Sequence, residues 1–373
     1  MNNLQRVRLE DITINWDKKR IPLSSAERAN LEKKYRYYGA QGVIDYVDNF
    51  LFDGEYVLVA EDGENLRSQR NNICNYVTGK FWVNNHAHII QAKANNNLKY
   101  IYYRLNLVDF SPYITGSAQP KLTQDNMNSI ELTVHDYISQ QKIAAVLSAL
   151  DAKIELNQRI NAELEAMAKT LYEYWFVQNS TLKKWEKRIL GEFVKINERS
   201  ITKEYKHNDI KYIDIASVSV GRLEGTSTHA LKNAPSRARR LVNHGDTIWS
   251  TVRPNRKSYL FICNPSNNLV VSTGFAVITP KKIPASFLYF LTTSEEFVHY
   301  LVSNAEGSAY PAVSADRFAE FVFLLPPKEQ LEKFEDIVSP MLAKISQNEL
   351  ESQTLTELRD WLLPMLMNGE VTV

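Results

Sequence analysis

Basic side chains are concentrated in one stretch of this 373-residue sequence, between positions 237 and 257. Of all the residues in the sequence, these are the ones whose chemistry most clearly suits binding of a ligand. Within it, Arg253-Pro254-Asn255-Arg256 has the composition of a turn, which would display its side chains. Guanidinium groups bind phosphate or the edge of guanine through paired hydrogen bonds, and amide side chains bind adenine in the same way. The stretch therefore favours contact with DNA, although solvated loop charges remain the alternative for each single residue.

The candidate DNA contacts share side chains that bond to phosphates or to base edges. In the N-terminal half they are Asn65, Arg67, Arg70, Asn84, Asn85, Ser117, Gln119 and Lys121. In the C-terminal half they are Arg237, Arg239, Arg240, Arg253, Asn255, Arg256, Lys257, Thr273, Ser308 and Tyr310.

Motifs of catalytic sites are missing from the sequence. It contains no Walker A phosphate loop, no GxGxxG dinucleotide loop and no GxSxG nucleophile elbow. Asn264-Pro265-Ser266 departs at its third position from the Asn-Pro-Pro-aromatic stretch of amino-methyltransferases. We therefore predict no catalytic residue, no metal site and no cofactor on this chain.

Two residue pairs carry side chains that could react as nucleophiles or bind a metal. His86-x-His88 is a weak metal candidate, because one of two histidines at this spacing in a strand faces inward, and no cysteine or carboxylate stands at ligand spacing. Cys74 and Cys263 lie in apolar surroundings at matching positions of the repeat described below, which favours small core residues over nucleophiles.

The composition is that of a globular protein, with 44% hydrophobic and 23% charged residues. No apolar run is long enough to span a membrane, and the first residues lack the apolar region of a secretory leader. Two cysteines cannot form a disulfide framework, so we expect a reducing, cytoplasmic location.

The net charge of +1 hides a segregation of charge along the chain. Residues 185–326 hold 18 Lys and Arg against 13 Asp and Glu, whereas residues 328–370 hold 4 against 9. Different segments are therefore expected to meet different partners.

The sequence contains an internal repeat with a period near 190 residues. Gly116-Ser117-Ala118-Gln119-Pro120 recurs as Gly307-Ser308-Ala309-Tyr310-Pro311, and Val83 to Ile90 aligns with Val271 to Ile278. Each half begins with about 135 residues of short apolar runs between Gly, Asn, Asp and Pro, which predict strands and a compact α+β module.

Each half ends in a predicted long helix whose apolar residues follow a heptad seam. Asn157 and Asn348 occupy equivalent seam positions, and polar core residues often fix the register of a helix pair. The seam consists of Ile143, Leu147, Leu150, Ile154, Asn157, Leu164 and Leu171 in the first helix and Phe334, Val338, Met341, Ile345, Asn348 and Leu355 in the second. Pro340 predicts a kink or a late start of the second helix.

Connectivity sets the direction of the helices. The first helix must lead from one module to the other, and the second must run back to bury its seam. We therefore predict an α+β fold with two homologous modules, joined and separated by two long antiparallel coiled-coil helices with pseudo-twofold symmetry. We predict the first module over residues 1–134, the first long helix over 135–180, the second module over 181–327 and the second long helix over 328–373.

Several motifs together resemble the specificity subunit of type I restriction–modification systems. The stretch from Gln140 to Ile154, followed by Leu171-Tyr172-Glu173-Tyr174-Trp175-Phe176-Val177, is similar to the family's central conserved region. Gly42-Val43-Ile44-Asp45-Tyr46-Val47 and the two glycine-serine-alanine segments resemble motifs of its target recognition domains, and the end from Leu363 to Val371 resembles its C-terminal region.

This resemblance implies a non-catalytic DNA-binding subunit of a DNA adenine methyltransferase and endonuclease complex that acts in phage defence. Each recognition domain would contact one half of a split site in double-stranded DNA, and the helices would act as a spacer. The resemblance also implies two modification subunits that use S-adenosylmethionine, and restriction subunits that use ATP and Mg.

Two other functions remain open from the residues alone. A self-contained DNA-modifying enzyme would need a cofactor loop or a carboxylate–lysine cluster, which the sequence does not offer. A coiled-coil scaffold without DNA recognition would leave the arginine cluster and the duplicated modules unexplained.

Overall fold

A computed structural model describes residues 4–116, 119–178, 185–307 and 309–373. Contacts divide the chain into unit 1, residues 1–155 and 352–373, and unit 2, residues 156–351. Each unit therefore combines one α+β domain with parts of both long helices. No helix within the described residues has the length and apolar character needed to cross a membrane.

The domain of unit 1 is built around a six-stranded sheet with the order β2-β7-β5-β6-β3-β4. Its elements are β1 (Gln5–Arg8), α1 (Leu9–Ile12), β2 (Thr13–Asn15), α2 (Ser25–Ala29), β3 (Tyr35–Gly39), β4 (Gly42–Val47), β5 (Phe52–Ala60), α3 (Asn65–Ser68), β6 (Cys74–Val83), β7 (Ala87–Ala92), α4 (Leu98–Leu105), β8 (Ile114–Thr115), β9 (Lys121–Leu122), α5 (Gln124–Asn128) and β10 (Glu131–Val134). The long helix α6 (Tyr137–Tyr172) follows and continues as one π-helical turn, Glu173–Val177.

The domain of unit 2 contains two four-stranded sheets, β12-β19-β16-β17 and β14-β13-β18-β15. Its elements are β11 (Glu186–Ile189), β12 (Val194–Ile196), β13 (Asp209–Ile213), β14 (Ser227–Ala230), β15 (Ala238–Leu241), β16 (Thr247–Ser250), β17 (Tyr259–Phe261), β18 (Leu269–Ser272), β19 (Phe275–Pro280), α7 (Ala285–Thr293), α8 (Glu295–Ser303), α9 (Ala315–Ala319) and β20 (Val322–Leu325). The long helix α10 (Lys328–Met367) ends the chain.

The two domains share one strand order, which confirms the predicted duplication. The order β2-β7-β5-β6 of unit 1 recurs as β12-β19-β16-β17 in unit 2, with antiparallel neighbours throughout. The pair Val57–Ile90 corresponds to the pair Thr247–Ile278. The fold class predicted from the sequence, two homologous α+β domains with long antiparallel helices, is therefore confirmed.

The central strand of unit 1 explains its continuous apolar run. Val57 and Val59 face one hydrophobic cluster, and Tyr56 and Leu58 face another. Because side chains alternate along a strand, a strand that is covered on both faces needs apolar residues at every position.

The strand register also corrects the predicted equivalence of the two cysteines. Cys74 pairs with Val59 in β5, and the residue equivalent to Val59 is Trp249, which pairs with Tyr259. Tyr259, not Cys263, therefore occupies the place of Cys74. Cys74 is buried and Cys263 half-buried, and burial raises the pKa of the Cys263 thiol; the match in sequence does not reflect a match in structure.

The long helices pair in antiparallel fashion within each unit. In unit 1, Leu147 of α6 lies in one core cluster with Leu366 and Met367 of α10, and Arg359 donates to Asp151 at 2.8 Å. In unit 2, Gln330 near the start of α10 donates to the carbonyl oxygen of Trp175, near the end of the first helix, at 3.1 Å.

The predicted seam residues of both helices are all buried or half-buried. Those that are fully buried are Ile143, Leu147, Asn157, Phe334, Val338 and Asn348, and the half-buried ones are Leu150, Ile154, Leu164, Leu171, Met341, Ile345 and Leu355. The predicted late start at Pro340 is wrong, because α10 begins at Lys328. Burial of Val338 and Leu342 on either side holds the helix through the position where proline removes a donor.

Candidate nucleic-acid interface

Three loops meet at one edge of the sheet in each domain. We call them the hairpin loop (61–73 in unit 1, 251–258 in unit 2), the strand turn (84–86 and 272–274) and the glycine loop (116–121 and 307–312). The hairpin loop connects β5 to β6 or β16 to β17, and the strand turn leads into β7 or β19. Each glycine loop begins with a glycine at positive φ, +87° at Gly116 and +94° at Gly307.

The same three backbone hydrogen bonds connect these loops in both units. In unit 1 they are Glu61 N to His86 O at 2.9 Å, Gly63 N to Pro120 O at 3.4 Å and Leu122 N to Glu61 O at 2.8 Å. In unit 2 they are Thr251 N to Gly274 O at 2.8 Å, Arg253 N to Pro311 O at 2.6 Å and Val313 N to Thr251 O at 2.8 Å. The hairpin loop is therefore bonded to both other segments, and we call the three together the three-loop cluster.

The three-loop cluster of unit 1 brings together most of the residues predicted there. Arg67 and Arg70 are exposed on the hairpin loop, and Arg67 donates to the carbonyl oxygen of Gly116 at 3.5 Å. Asn85 is exposed on the strand turn and Gln119 on the glycine loop. Lys121 is exposed and lies 3.3 Å from Glu61.

Two predicted residues of unit 1 are buried within their own loops. Asn65 is 5% exposed, and its side chain donates to the carbonyl oxygen of Asn71 and accepts from the N–H of the same residue, both at 3.0 Å. Asn84 is 6% exposed and accepts the N–H of His86 at 2.8 Å. These side chains shape the hairpin loop and the strand turn, and neither presents a free amide at the surface.

Arg253 is the most constrained residue of the three-loop cluster in unit 2. Its backbone is left-handed, with φ of 52°, and its guanidinium carbon lies 4.4 Å from the ring centre of Tyr310. The predicted turn is confirmed, because Pro254–Arg256 form one turn of 3-10 helix. Asn255 and Arg256 are exposed on it, whereas Lys257 pairs with Glu295 at 2.6 Å.

The remaining basic residues of unit 2 separate into two groups. Thr273 is exposed on the strand turn, and its N–H donates to the carbonyl oxygen of Arg237, which places exposed Arg237 beside the cluster. Arg239 is also exposed and donates to the carbonyl oxygen of Ser236.

Arg240, by contrast, points inward. It is half-buried and donates to the side chain of Asn197 and to the carbonyl oxygen of Phe275, and burial lowers the pKa of its guanidinium. Its guanidinium group connects these two residues within the domain and is not available to a ligand. Ser117 and Ser308, also predicted as contacts, lie outside the described residues.

A family model for the type I restriction modification DNA specificity domain matches residues 1–166 and 182–359, which is most of the chain. The chain belongs to this family.

Relatives and solved structures agree with this assignment. The family member described here is 28% identical over 181 residues to the HindI specificity subunit of Haemophilus influenzae, a type I restriction enzyme subunit, covering 47% of this chain and 39% of that protein. It is 26% identical over 303 residues to the MjaIX specificity subunit of Methanocaldococcus jannaschii, covering 74% of this chain and 69% of that protein.

The crystal structure of the S subunit of a type I restriction–modification system from M. genitalium matches with a TM-score of 0.70 and 15% identity, over 98% of this chain and 96% of that one. This likeness supports the fold. The chain spans less than half of the two Haemophilus influenzae relatives that it matches, 36% of one and 39% of the other.

In this specificity-domain protein, sequence reasoning missed one group of residues at the three-loop cluster of unit 1. His88 is 1% exposed and lies 2.5 Å from Asp17, with Glu61 and Arg20 beside it. Within the described residues, no group of three or more His, Cys, Asp or Glu side chains is arranged to hold a metal ion. Nothing in the sequence connects Asp17 to His88, because the two are brought together only by the pairing of β2 with β7.

Proposed function

We propose that this chain is the sequence-specific DNA-binding subunit of a type I restriction–modification complex. Each three-loop cluster contacts one half of a bipartite, gapped site in double-stranded DNA. The observation that carries the proposal is the recurrence of the same hydrogen-bonded three-loop cluster in both units, each with exposed basic and amide side chains.

The charges of the cluster in unit 2 suit a DNA duplex. Arg237 and Arg256 are exposed, and neither has a carboxylate partner among the described residues. Arg253 is held by its stack on Tyr310, so its guanidinium is oriented before any ligand binds. Fixed guanidinium groups favour paired hydrogen bonds to guanine or phosphate because little side-chain entropy is lost on binding.

The geometry reduces the set of direct contacts. We assign Asn65, Asn84 and Arg240 to the support of the loops, since their polar atoms are already bonded inside the domain. The direct contacts that we propose are the exposed residues Arg67, Arg70, Asn85, Gln119, Lys121, Arg237, Arg239, Asn255, Arg256, Thr273 and Tyr310 and the half-buried Arg253, with Lys257 as a weaker member because Glu295 neutralises it.

The chemistry of the complex would belong to other subunits. We propose that the helix pair docks two modification subunits, which methylate adenine with S-adenosylmethionine, and that restriction subunits supply ATP- and Mg-dependent cleavage. On this proposal the specificity-domain chain needs no cofactor of its own, and its role is to place the partner's active site on the DNA.

Single-molecule methylation sequencing tests the proposal. Cells that carry this chain with its modification partner are compared with cells that lack only this chain. The expected result is a split motif with a constant gap that is methylated only when the chain is present. No difference, with the complex shown to assemble, would reject DNA recognition and favour a coiled-coil scaffold; methylation by the purified chain alone would favour a self-contained enzyme.

The helix pair would set the length of the unread gap. Two recognition modules on one face of DNA are best placed about one helical turn, roughly 10 base pairs, apart from centre to centre. We expect that inserting one heptad into each of α6 and α10 changes the gap length in the methylated motif or abolishes activity. An active complex with an unchanged gap would contradict the spacer role.

A further inference from the structure

A network of charged side chains lies directly beneath the three-loop cluster of unit 1. At its centre is His88 on β7, which is 1% exposed. Its Nδ1 lies 2.5 Å from Oδ2 of Asp17, and its Nε2 lies 2.8 Å from the carbonyl oxygen of Leu122. Oδ1 of Asp17 accepts the N–H of Ile89 at 2.9 Å.

The ring of His88 connects two separate parts of the domain. Burial raises the pKa of the Asp17 carboxyl, but the hydrogen bond and charge of His88, the N–H of Ile89 and nearby Arg20 outweigh it, so that this pKa is lowered. The carbonyl oxygen of Leu122 only accepts hydrogen bonds. His88 therefore lies between the Asp17 carboxyl on one side of its ring and the backbone of Leu122 on the other.

The network reaches two of the three loops. Glu61, the first residue of the hairpin loop, lies 3.7 Å from Nδ1 of His88 and bonds to Arg20 at 2.6 Å. Lys121, the last residue of the glycine loop, lies 3.3 Å from Glu61. The bond from His88 to Leu122 fixes the residue that directly follows this loop.

Unit 2 has the same backbone without this network. By strand register, Ala276 occupies the place of His88, since His88 pairs with Val59 and Ala276 with the equivalent Trp249. Asn197 accepts the N–H of Val277 at 2.9 Å, as Asp17 accepts that of Ile89. The fold therefore does not require a buried histidine–aspartate pair at this point, and the role of the pair must be sought in the loops of unit 1.

We propose that His88 is a positioning residue for recognition of the half-site bound by unit 1. Its buried ring holds the start of the hairpin loop and the end of the glycine loop in the arrangement that presents their side chains to DNA. This inference rests on the proposed function, because it assumes that the three-loop cluster contacts a half-site.

The test measures half-site discrimination by the full-length chain assembled with its modification subunit. Equilibrium binding is compared for a duplex with the intact motif found by methylation sequencing and for two duplexes in which one half-site is scrambled. His88→Gln removes the imidazole ring. Asp17→Asn with His88→Ala removes the two partners together and places on β7 the alanine that unit 2 has there, so that no carboxylate of Asp17 is left buried without its partner.

The matched control is His135→Gln. His135 is also a buried histidine of unit 1, at 5% exposure, but its ring contacts Tyr100 and none of the three loops. Its replacement therefore reproduces the general effect of losing a buried imidazole in the same domain.

We expect His88→Gln and the double variant to lose at least about fivefold in affinity for the intact motif, the loss typical of one base-pair contact. The loss should disappear when the half-site of unit 1 is scrambled and should persist when the other is scrambled. His135→Gln should discriminate like the wild type.

Two results would overturn the inference: wild-type discrimination in both His88 variants, or an equal loss of discrimination at both half-sites. In each case the wild-type complex still discriminates, so the proposed function survives. A wild-type complex that binds all three duplexes equally would instead reject the proposed function and the inference together.

Discussion

Arg253 occupies in unit 2 the place that Gly63 occupies in unit 1. Each lies two residues after the residue whose N–H bonds to the strand turn, which is Thr251 in unit 2 and Glu61 in unit 1. Each also donates its own N–H to a proline carbonyl oxygen, that of Pro311 or Pro120. Both have positive φ, 52° at Arg253 and 109° at Gly63. A side chain in this conformation costs about 1–2 kcal/mol, and such cost is typically retained at functional sites.

This relationship predicts that Arg253→Gly separates stability from DNA binding. The glycine relieves the left-handed conformation, while the unfolded chain gains entropy, so the free energy of unfolding should change by less than about 1 kcal/mol. Affinity for the methylated motif should fall at least about fivefold. Urea denaturation and equilibrium binding measure the two effects, and Arg317→Ala, an exposed arginine on α9 that pairs with Glu320, is the control. Unchanged affinity in Arg253→Gly would remove Arg253 from the interface.

Arg256 and Lys257 of the hairpin loop in unit 2 should contribute differently to the salt dependence of DNA affinity. Arg256→Ala should lower the slope of log affinity against log salt by about 1, the value expected for one lost phosphate contact. Lys257→Ala should change the slope less, because Glu295 already neutralises that ammonium at 2.6 Å. Binding titrations between low and moderate salt measure both slopes, and an equal change in the two variants would contradict this difference.

Local patterns in the sequence predicted much of this structure. The turn at Arg253 to Arg256 and the heptad seam depend on neighbouring residues or on a regular spacing, and the structure has both. The separate sheet of β13, β14, β15 and β18 in unit 2 has no such local signal, because it depends on which strands pair at a distance.

The candidate site was predicted less completely than the fold, because side-chain partners, like strand pairing, depend on residues that are distant in sequence. Composition shows that Arg240, Asn65 and Asn84 are able to bind DNA, but only tertiary structure shows that their polar atoms are bonded inside the domain. The spacing of His86 and His88 predicted that one of the two faces inward, but not which residue it contacts. In the structure, His88 lies inside the domain and bonds to Asp17, 71 residues away in sequence.

The buried asparagines of the helix pair predict a non-additive effect on stability. The amide of Asn157 donates to Glu351 at 2.9 Å, and that of Asn348 donates to Asn161 at 2.8 Å, both in the interior of unit 2. Asn157→Leu or Asn348→Leu alone should lower the free energy of unfolding by about 1–3 kcal/mol, because polar partners are left unpaired.

Asn161→Leu alone should cost a similar amount, whereas the double variant of Asn161 and Asn348 should cost less than the sum of its single variants, since it removes both partners of one buried hydrogen bond. Urea denaturation provides the double-mutant cycle. The exposed Gln347 on the same helix serves as a control when replaced by Ala. Additive losses would show that the two amides do not act as one layer.

The carboxyl group of Glu349 on α10 predicts a pH dependence of stability. Burial raises its pKa to about 7, with Arg222 opposing the shift and Glu165 and Glu224 adding to it. The folded state thus binds this proton more tightly than the unfolded chain, where the ordinary pKa is 4.5. Its contribution to stability is therefore complete below pH 4.5 and is lost as the pH rises through about 7.

Wild-type stability should fall over this interval by up to about 3 kcal/mol, the product of the pKa difference and 1.36 kcal/mol for each unit. Glu349→Gln stays neutral at every pH, so its free energy of unfolding should increase relative to that of the wild type as the pH rises from 5 to 8. Glu332→Gln, at an exposed position of the same helix, should follow the wild type throughout. Urea denaturation across this pH range measures all three proteins. Parallel curves for Glu349→Gln and the wild type would mean that the Glu349 carboxyl is solvated and ionised in the folded chain.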